Sequence, residues 1–175
     1  MHGVVRKILD ASFELISNKP LGYIKAGDII KKADVSKGSF YRYFKDKYDC
    51  VSYAFVDKYF QCFYDKQLTF RQAFEEHAIL IFNNISILKN ISIDDSFLLA
   101  FSAIHDEYRK VLRRHILNDL NIRDENTNRA ISYLSRTLAV TLYLYANDKI
   151  VHDDAIYLVK HFEEIVPNCL KQYIL

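Results

Sequence analysis

Only four glycines, at positions 3, 22, 27 and 38, and two prolines, Pro20 and Pro167, punctuate a chain of 175 residues. Between Ser39 and Val166 neither residue occurs. That absence argues against strands joined by tight turns, which need the positive φ of glycine or the fixed φ of proline. An all-α protein is the economical expectation, with Asn118-Asp119, Asp124 to Asn128 and Asn147-Asp148 as loops. Cysteine is equally sparse. Cys50, Cys62 and Cys169 form no C-x-x-C and follow no secretory leader. Reduced, largely buried thiols in a cytoplasmic protein are therefore expected. No apolar run approaches the roughly twenty residues that span a bilayer, so no membrane partner is expected.

Enzyme signatures are missing too. None of the six histidines has a glutamate three residues before it, as di-iron bundles require. G-x-x-x-x-G-K-[ST], H-E-x-x-H and G-x-S-x-G are absent. A metal site would have to draw His77, His105 and His115 together by folding, although scattered helical histidines are usually ordinary surface or core residues. The expectation is no enzyme, no cofactor and no metal.

What is present is charge at the front. Residues 1–47 carry ten Lys or Arg against five Asp or Glu, a net +5, while the remainder carries fourteen against seventeen, a net −3. An N-terminal nucleic-acid module followed by a neutral-to-acidic domain would show this asymmetry. A solvated basic face is the plainer alternative.

Local pattern favours the module. Val5, Ile8, Leu9, Ser12, Leu15 and Ile16 recur at helical spacing, predicting a helix from about residue 4 to Ser17. Ile29, Ile30 and Ala33 mark a second short helix, and Asp34-Val35 a tight turn. Ser36 is placed to cap a third helix, with Phe40 packing back on Val35 as a hydrophobic staple. The motif, about residues 24–43, is a helix-turn-helix. Phe40 and Phe44 face the core together, which turns Lys37, Ser39, Tyr41 and Arg42 outwards. Lys37, Gly38 and Ser39 occupy the tip that approaches base edges in such motifs. Gly38, without a Cβ, permits close backbone approach to DNA, or is simply a tolerated turn residue.

Further along, Cys50, Val51, Ala54, Phe55, Lys58 and Phe63 mark a longer fourth helix, and Phe70 to about Lys89 a fifth. A helical region from about Asp94 to Leu120 is expected to bend or split near His105, its aromatics Phe97, Phe101 and Tyr108 being either core or a cavity lining. Arg129 to Asn147 carries the stripe Ala130, Ile131, Leu134, Leu138, Thr141, Leu142 and Tyr145. Asp153 caps a last segment with Ile156, Val159, Phe162, Ile165 and Val166, which Pro167 kinks or ends. The two stripes are satisfied inside one subunit or form a homodimer interface from about 129–147 and 153–172. A rival reading is a helical protein-interaction or anion-binding module using Arg109, Lys110, Arg113 and Arg114, offset by Asp106 and Glu107.

Over residues 4 to about 51 the chain resembles the TetR family of bacterial transcriptional regulators. The resemblance rests on Ile8-Leu9-Asp10-Ala11, Gly27-Asp28-Ile29-Ile30, and Val35 through Phe44 followed by Lys45-Asp46-Lys47. It implies a DNA-binding domain at 1–47 and a helical ligand-binding and dimerisation domain at 48–175. It further implies a homodimeric repressor on palindromic double-stranded DNA, released by a small-molecule inducer. Ser36, Lys37, Gly38 and Ser39 match the recognition-helix start, Tyr41, Tyr43 and Lys47 match phosphate contacts, and Arg42 falls at a variable position suited to reading guanine. Where the family carries threonines this chain has Ile24-Lys25-Ala26. Lys25 is expected to replace the lost phosphate contact, and the second helix to start less firmly for want of a cap.

Overall fold

The computed structural model describes residues 3–92, 97–117, 124–147 and 155–175. Its helices are α1 (Gly3–Asn18), α2 (Ala26–Ala33), α3 (Lys37–Tyr43), α4 (Lys47–Tyr59), α5 (Phe70–Asn83), α6 (Ile85–Ser92), α7 (Phe97–Leu117), α8 (Glu125–Ala146), α9 (Ala155–Ile165) and α10 (Asn168–Ile174). Single 3-10 turns lie at Leu21–Tyr23 and Gln61–Tyr64. No strand occurs among the described residues. The all-α expectation holds.

Helices α1, α2 and α3 pack on one another, and α4 packs on α1 at one side and α7 at the other. Ile8, Ile16, Leu21, Ile24, Ile29 and Phe40 are almost wholly removed from water and continue into the same core as Phe55, Phe60 and Phe63. Each such side chain contributes roughly 1.5–3 kcal/mol of burial. Helix α4 is thus shared between the front of the molecule and the helices behind it. Helix α6 reaches α1 as well, where Asn90 Nδ2 donates to the Ile16 carbonyl at 2.8 Å.

Several boundaries differ from the sequence expectation. The segment from Phe70 to Lys89 is two helices, because Asn84 turns its side chain onto the Leu80 carbonyl and its backbone N–H onto Ile81 and Phe82. A short polar side chain that bonds its own backbone competes with helix propagation. By contrast, α7 runs unbroken past His105, whose ring stacks on Phe101 one turn earlier. The fourth helix stops at Tyr59, and Cys62 and Phe63 belong to the following 3-10 turn. Asp124 to Asn128 is not a loop: the Asp124 carboxylate accepts from Asn126 N and Thr127 N and starts α8. Pro167 ends the helix before it and precedes α10. The expected Asp153 cap lies outside the described residues.

Burial settles other expectations. In α8, Ile131, Leu134, Leu138, Thr141, Leu142 and Tyr145 are buried within the single chain, so that stripe is satisfied internally. Tyr133 and Val140, two turns apart, are exposed instead. Cys50 and Cys62 are buried, and burial pushes their thiols up to about 12 and about 11, whereas Cys169 is exposed rather than buried.

The turn between α2 and α3 carries a local cost. Asp34 sits in the left-handed region at φ 53 and ψ 54, the only non-glycine residue with positive φ among the described residues. Its backbone N–H still bonds Ile30 and Lys31, closing α2, but its negative charge stands at the negative end of the helix dipole. Asp34→Gly is expected to stabilise the protein by about 1 kcal/mol, read as a rise in urea midpoint at constant m-value. A fall would show that the aspartate has a compensating contact.

Candidate nucleic-acid interface

Helix α3 is set by its cap. Ser36 is extended, its Oγ accepts from Ser39 N at 3.0 Å, and its hydroxyl shares a 2.9 Å hydrogen bond with the Ser39 hydroxyl. Val35 packs against the core that wholly buries Phe40, as the staple requires. With Phe40 and Phe44 turned inward, Lys37, Gly38, Tyr41, Arg42 and Tyr43 are exposed and Ser39 is half-buried. Tyr41 lies edge-on against Phe40, with Lys37 Nζ 6.0 Å from its ring centre. The cation and the phenol are therefore presented together.

Gly38 has no structural reason to be glycine. Its φ is not positive, and a Cβ placed there would meet nothing nearer than Ser36 Oγ at 3.9 Å. Gly27, in the first turn of α2, is likewise exposed, with nothing within 4 Å of its Cβ position. Both glycines leave helix-start amides uncovered, the geometry that anions favour.

The start of α2 departs from expectation. Lys25 is its N-cap residue and its side chain has no acceptor to offer the helix, but Asp28 reaches back and accepts from Lys25 N at 2.8 Å. That is half a capping box, and Asp28 also complements the helix dipole. The cap thought missing is supplied from inside the helix, so α2 is firmly begun. Lys25 stays exposed, beside the strongly exposed Tyr23.

Lys47 is placed differently from the other candidates. It is half-buried, and its ammonium donates to the Leu21 carbonyl at 2.9 Å and the Ile24 carbonyl at 2.8 Å. One N–H remains for any other acceptor. The side chain therefore ties the start of α4 to the turn that leads into α2. Asp46 caps α4 by accepting from Asp49 N, and Asp49 accepts from Lys45 N. This reciprocal pair was readable as Asp46-x-x-Asp49. Arg6 and Asp57, 51 residues apart, had no local signal; they form two hydrogen bonds of 2.5 and 3.2 Å that pin α1 to the far end of α4.

Of the rival basic cluster, Arg109 and Arg113 stay exposed on α7, while Lys110 and Arg114 are engaged. Lys110 bonds Glu107 and, with Arg114, lies over the Tyr64 ring, whose hydroxyl donates to Glu107. The histidines do not meet. His77 is held by Tyr59 and Tyr108, His115 lies against Phe70, and His105 stacks on Phe101. Among the described residues no group of three or more His, Cys, Asp or Glu is placed to hold a metal. No helix there is long and apolar enough to cross a membrane.

Comparison with known proteins agrees with the geometry. Residues 8–54 match the model of the bacterial regulatory proteins of the tetR family. Over 45 residues the chain is 47% identical to the uncharacterized HTH-type transcriptional regulator YvdT of Bacillus subtilis (strain 168), a match covering 26% of this chain and 23% of that protein. The aligned part thus spans about a quarter of this relative. A TetR transcriptional regulator from Rhodococcus sp. RHA1 superposes with a TM-score of 0.64 at 15% identity, covering 97% of this chain and 98% of that one. The dihydroxyacetone kinase operon activator DhaS gives 0.56 at 16% identity, covering 99% and 97%. At such identities the structural likeness is one of fold. These relatives are regulators, not enzymes. Residues 8–54 thus match the tetR family of bacterial regulatory proteins, and they head a helical fold similar to that of a TetR transcriptional regulator.

Proposed function

We propose that the chain is a DNA-binding transcriptional repressor that acts as a homodimer on a palindromic operator and is released by a small molecule. Residues 1–47 form the DNA-binding unit and 48–175 the ligand-binding and dimerisation unit. The observation that carries the reading is Gly38, a helical glycine that the fold does not need, on the tip of a basic, capped recognition helix. A close-approaching partner explains it; nothing among the described residues does.

In this reading Ser36, Lys37, Gly38 and Ser39 enter the major groove, and Arg42 reads a base edge. Tyr41, Tyr43 and Lys25 hold phosphates, and Lys47 contributes its remaining N–H. The dimer forms through the outward faces of the last helices, where Tyr133, Val140 and Ile156 are exposed. Two recognition helices must then lie about 34–36 Å apart, one turn of DNA. Helix α4 is the means of changing that spacing, tied at its start by Lys47 and near its end by Arg6–Asp57. A ligand releases DNA only if it binds the misaligned state more tightly.

Selection of bound fragments from random duplex DNA, followed by titration at several salt concentrations, tests this. A palindrome should be enriched, and log K should fall linearly with log salt at a slope of about −0.9 for each phosphate contacted. No enrichment at low salt, or a flat salt response, would refute sequence-specific binding and restore the interaction-module reading.

A further inference from the structure

We propose that Tyr23 is a further DNA contact, its hydroxyl donating to a backbone phosphate beside each half-site, and that Lys47 is the positioning residue that holds it there. The inference rests on the regulator reading above and adds a contact that the sequence pattern did not mark.

Tyr23 is 75% exposed, more than any other large hydrophobic side chain among the described residues. Exposure alone is ordinary on a protein surface. Its mounting is what distinguishes it. Leu21 and Ile24, on either side, are almost wholly buried. Tyr23 N donates to the Pro20 carbonyl at 3.0 Å, and Ile24 N to the Leu21 carbonyl at 3.1 Å. The Lys47 ammonium then grips the carbonyls of Leu21 and Ile24 together. The backbone before and after Tyr23 is therefore fixed, and a tyrosine has only two side-chain torsions left to order. A preorganised contact of this kind loses little entropy when a partner arrives.

The grip also sets the direction. Lys47 opens α4, four residues after α3 ends at Tyr43, so the turn is drawn to the side on which the recognition helix finishes. Lys25, two residues beyond Tyr23, is exposed, and Gly27 leaves the first turn of α2 uncovered. In a helix-turn-helix the first helix crosses the sugar-phosphate backbone while the second enters the groove. Tyr23 leads into the start of that crossing helix. From Pro20 to Gly27 it carries the only side-chain hydroxyl. Phosphate oxygens only accept, and a phenol can donate to them. The one opposing charge at this helix start, Asp28, is held by Lys25 N at 2.8 Å and lies 3.9 Å from Lys19 Nζ, which offsets it.

The test is Tyr23→Phe in the full chain, titrated against a selected operator and against random duplex DNA at several salt concentrations. Both affinities should fall by the same factor, about tenfold, because a phosphate contact carries no sequence information. The salt slope should stay as in the parent, since a neutral donor releases no counter-ion, whereas Lys25→Gln should lower it by about 0.9 for each phosphate lost. Ethylation of operator phosphates should reveal one position that weakens the parent and no longer weakens Tyr23→Phe. The urea midpoint should not move. Lys47→Met should weaken DNA binding and shrink the effect of Tyr23→Phe in the double variant; Lys47→Gln replaces it if the methionine variant does not fold. Parental affinity in Tyr23→Phe, a loss confined to the operator, or a reduced salt slope overturns the phosphate contact, and simple additivity with Lys47 overturns the positioning role. A parent that binds no duplex DNA refutes the regulator reading and this contact with it; a parent that binds while Tyr23→Phe matches it refutes the contact alone.

Discussion

Gly38→Ala should yield a more stable protein that binds DNA worse. In the second position of α3 the alanine gains up to about 1 kcal/mol over glycine, since it loses less backbone freedom on folding. The fold has room for it, the nearest atom being Ser36 Oγ at 3.9 Å. In a DNA complex the same methyl group would stand between the helix start and the groove. Loss of the close contact should weaken binding by about tenfold or more, equivalent to about 1.4 kcal/mol. Urea denaturation and fluorescence anisotropy on a selected operator measure the two effects on one preparation. Their opposite signs are the diagnostic, because ordinary damage to the helix would lower both. Ser36→Ala is the contrast: removing the cap should cost about 1 kcal/mol of stability and weaken DNA binding with it. If Gly38→Ala binds the operator as tightly as the parent, the tip of α3 is not at the interface.

The comparison between those two residues also shows what was readable in the chain. Ser36, Val35 and Phe40 act within five residues of each other, so a cap, a staple and an inward face follow from spacing alone. The helical content and the break at Pro167 are local in the same sense. Contacts between distant segments left no trace in spacing. Arg6 meets Asp57, and Lys47 meets the carbonyls of Leu21 and Ile24, only once α4 packs across α1. Asp28 was readable in principle, being three residues after the N-cap, but a lysine at that cap concealed half of the box. Asn84 inside a continuous apolar stripe had periodicity against it and its own side-chain hydrogen bond for it, and the latter prevailed. The apolar stripe of α8 illustrates the converse. Periodicity shows that a face is covered without showing by what, and here α7 and other helices of the same chain cover it.

His77 should make the protein lose about 3 kcal/mol of stability as pH falls from 6.5 to 4, and His77→Phe should abolish most of that loss. The ring is 1% exposed and surrounded by Phe60, Phe63 and Phe74, and burial lowers its pKa from the ordinary 6.5 to about 4. In the unfolded chain the imidazole takes up its proton as pH drops through 6.5; in the folded protein it resists until about 4. Between those values the unfolded state binds more protons, so stability declines with falling pH. Above 6.5 the ring is neutral in both states and no loss is felt; below 4 it is protonated in both, and this group adds nothing further. The span of the shift at 1.36 kcal/mol per pKa unit gives the figure of about 3 kcal/mol. His105, whose pKa burial also lowers, acts in the same direction and remains in the variant. The quantity to compare is therefore the slope of unfolding free energy against pH in parent and variant, from urea curves at half-unit steps. His77→Phe strands the Tyr108 hydroxyl and leaves the Tyr59 carbonyl only the Cys62 thiol, so it should be less stable at neutral pH, yet its curve should flatten between the two values. Equal slopes would mean that His77 admits water and titrates normally. A sealed imidazole would instead mean that water is excluded from the His77 bridge between the Tyr59 carbonyl of α4 and the Tyr108 hydroxyl of α7.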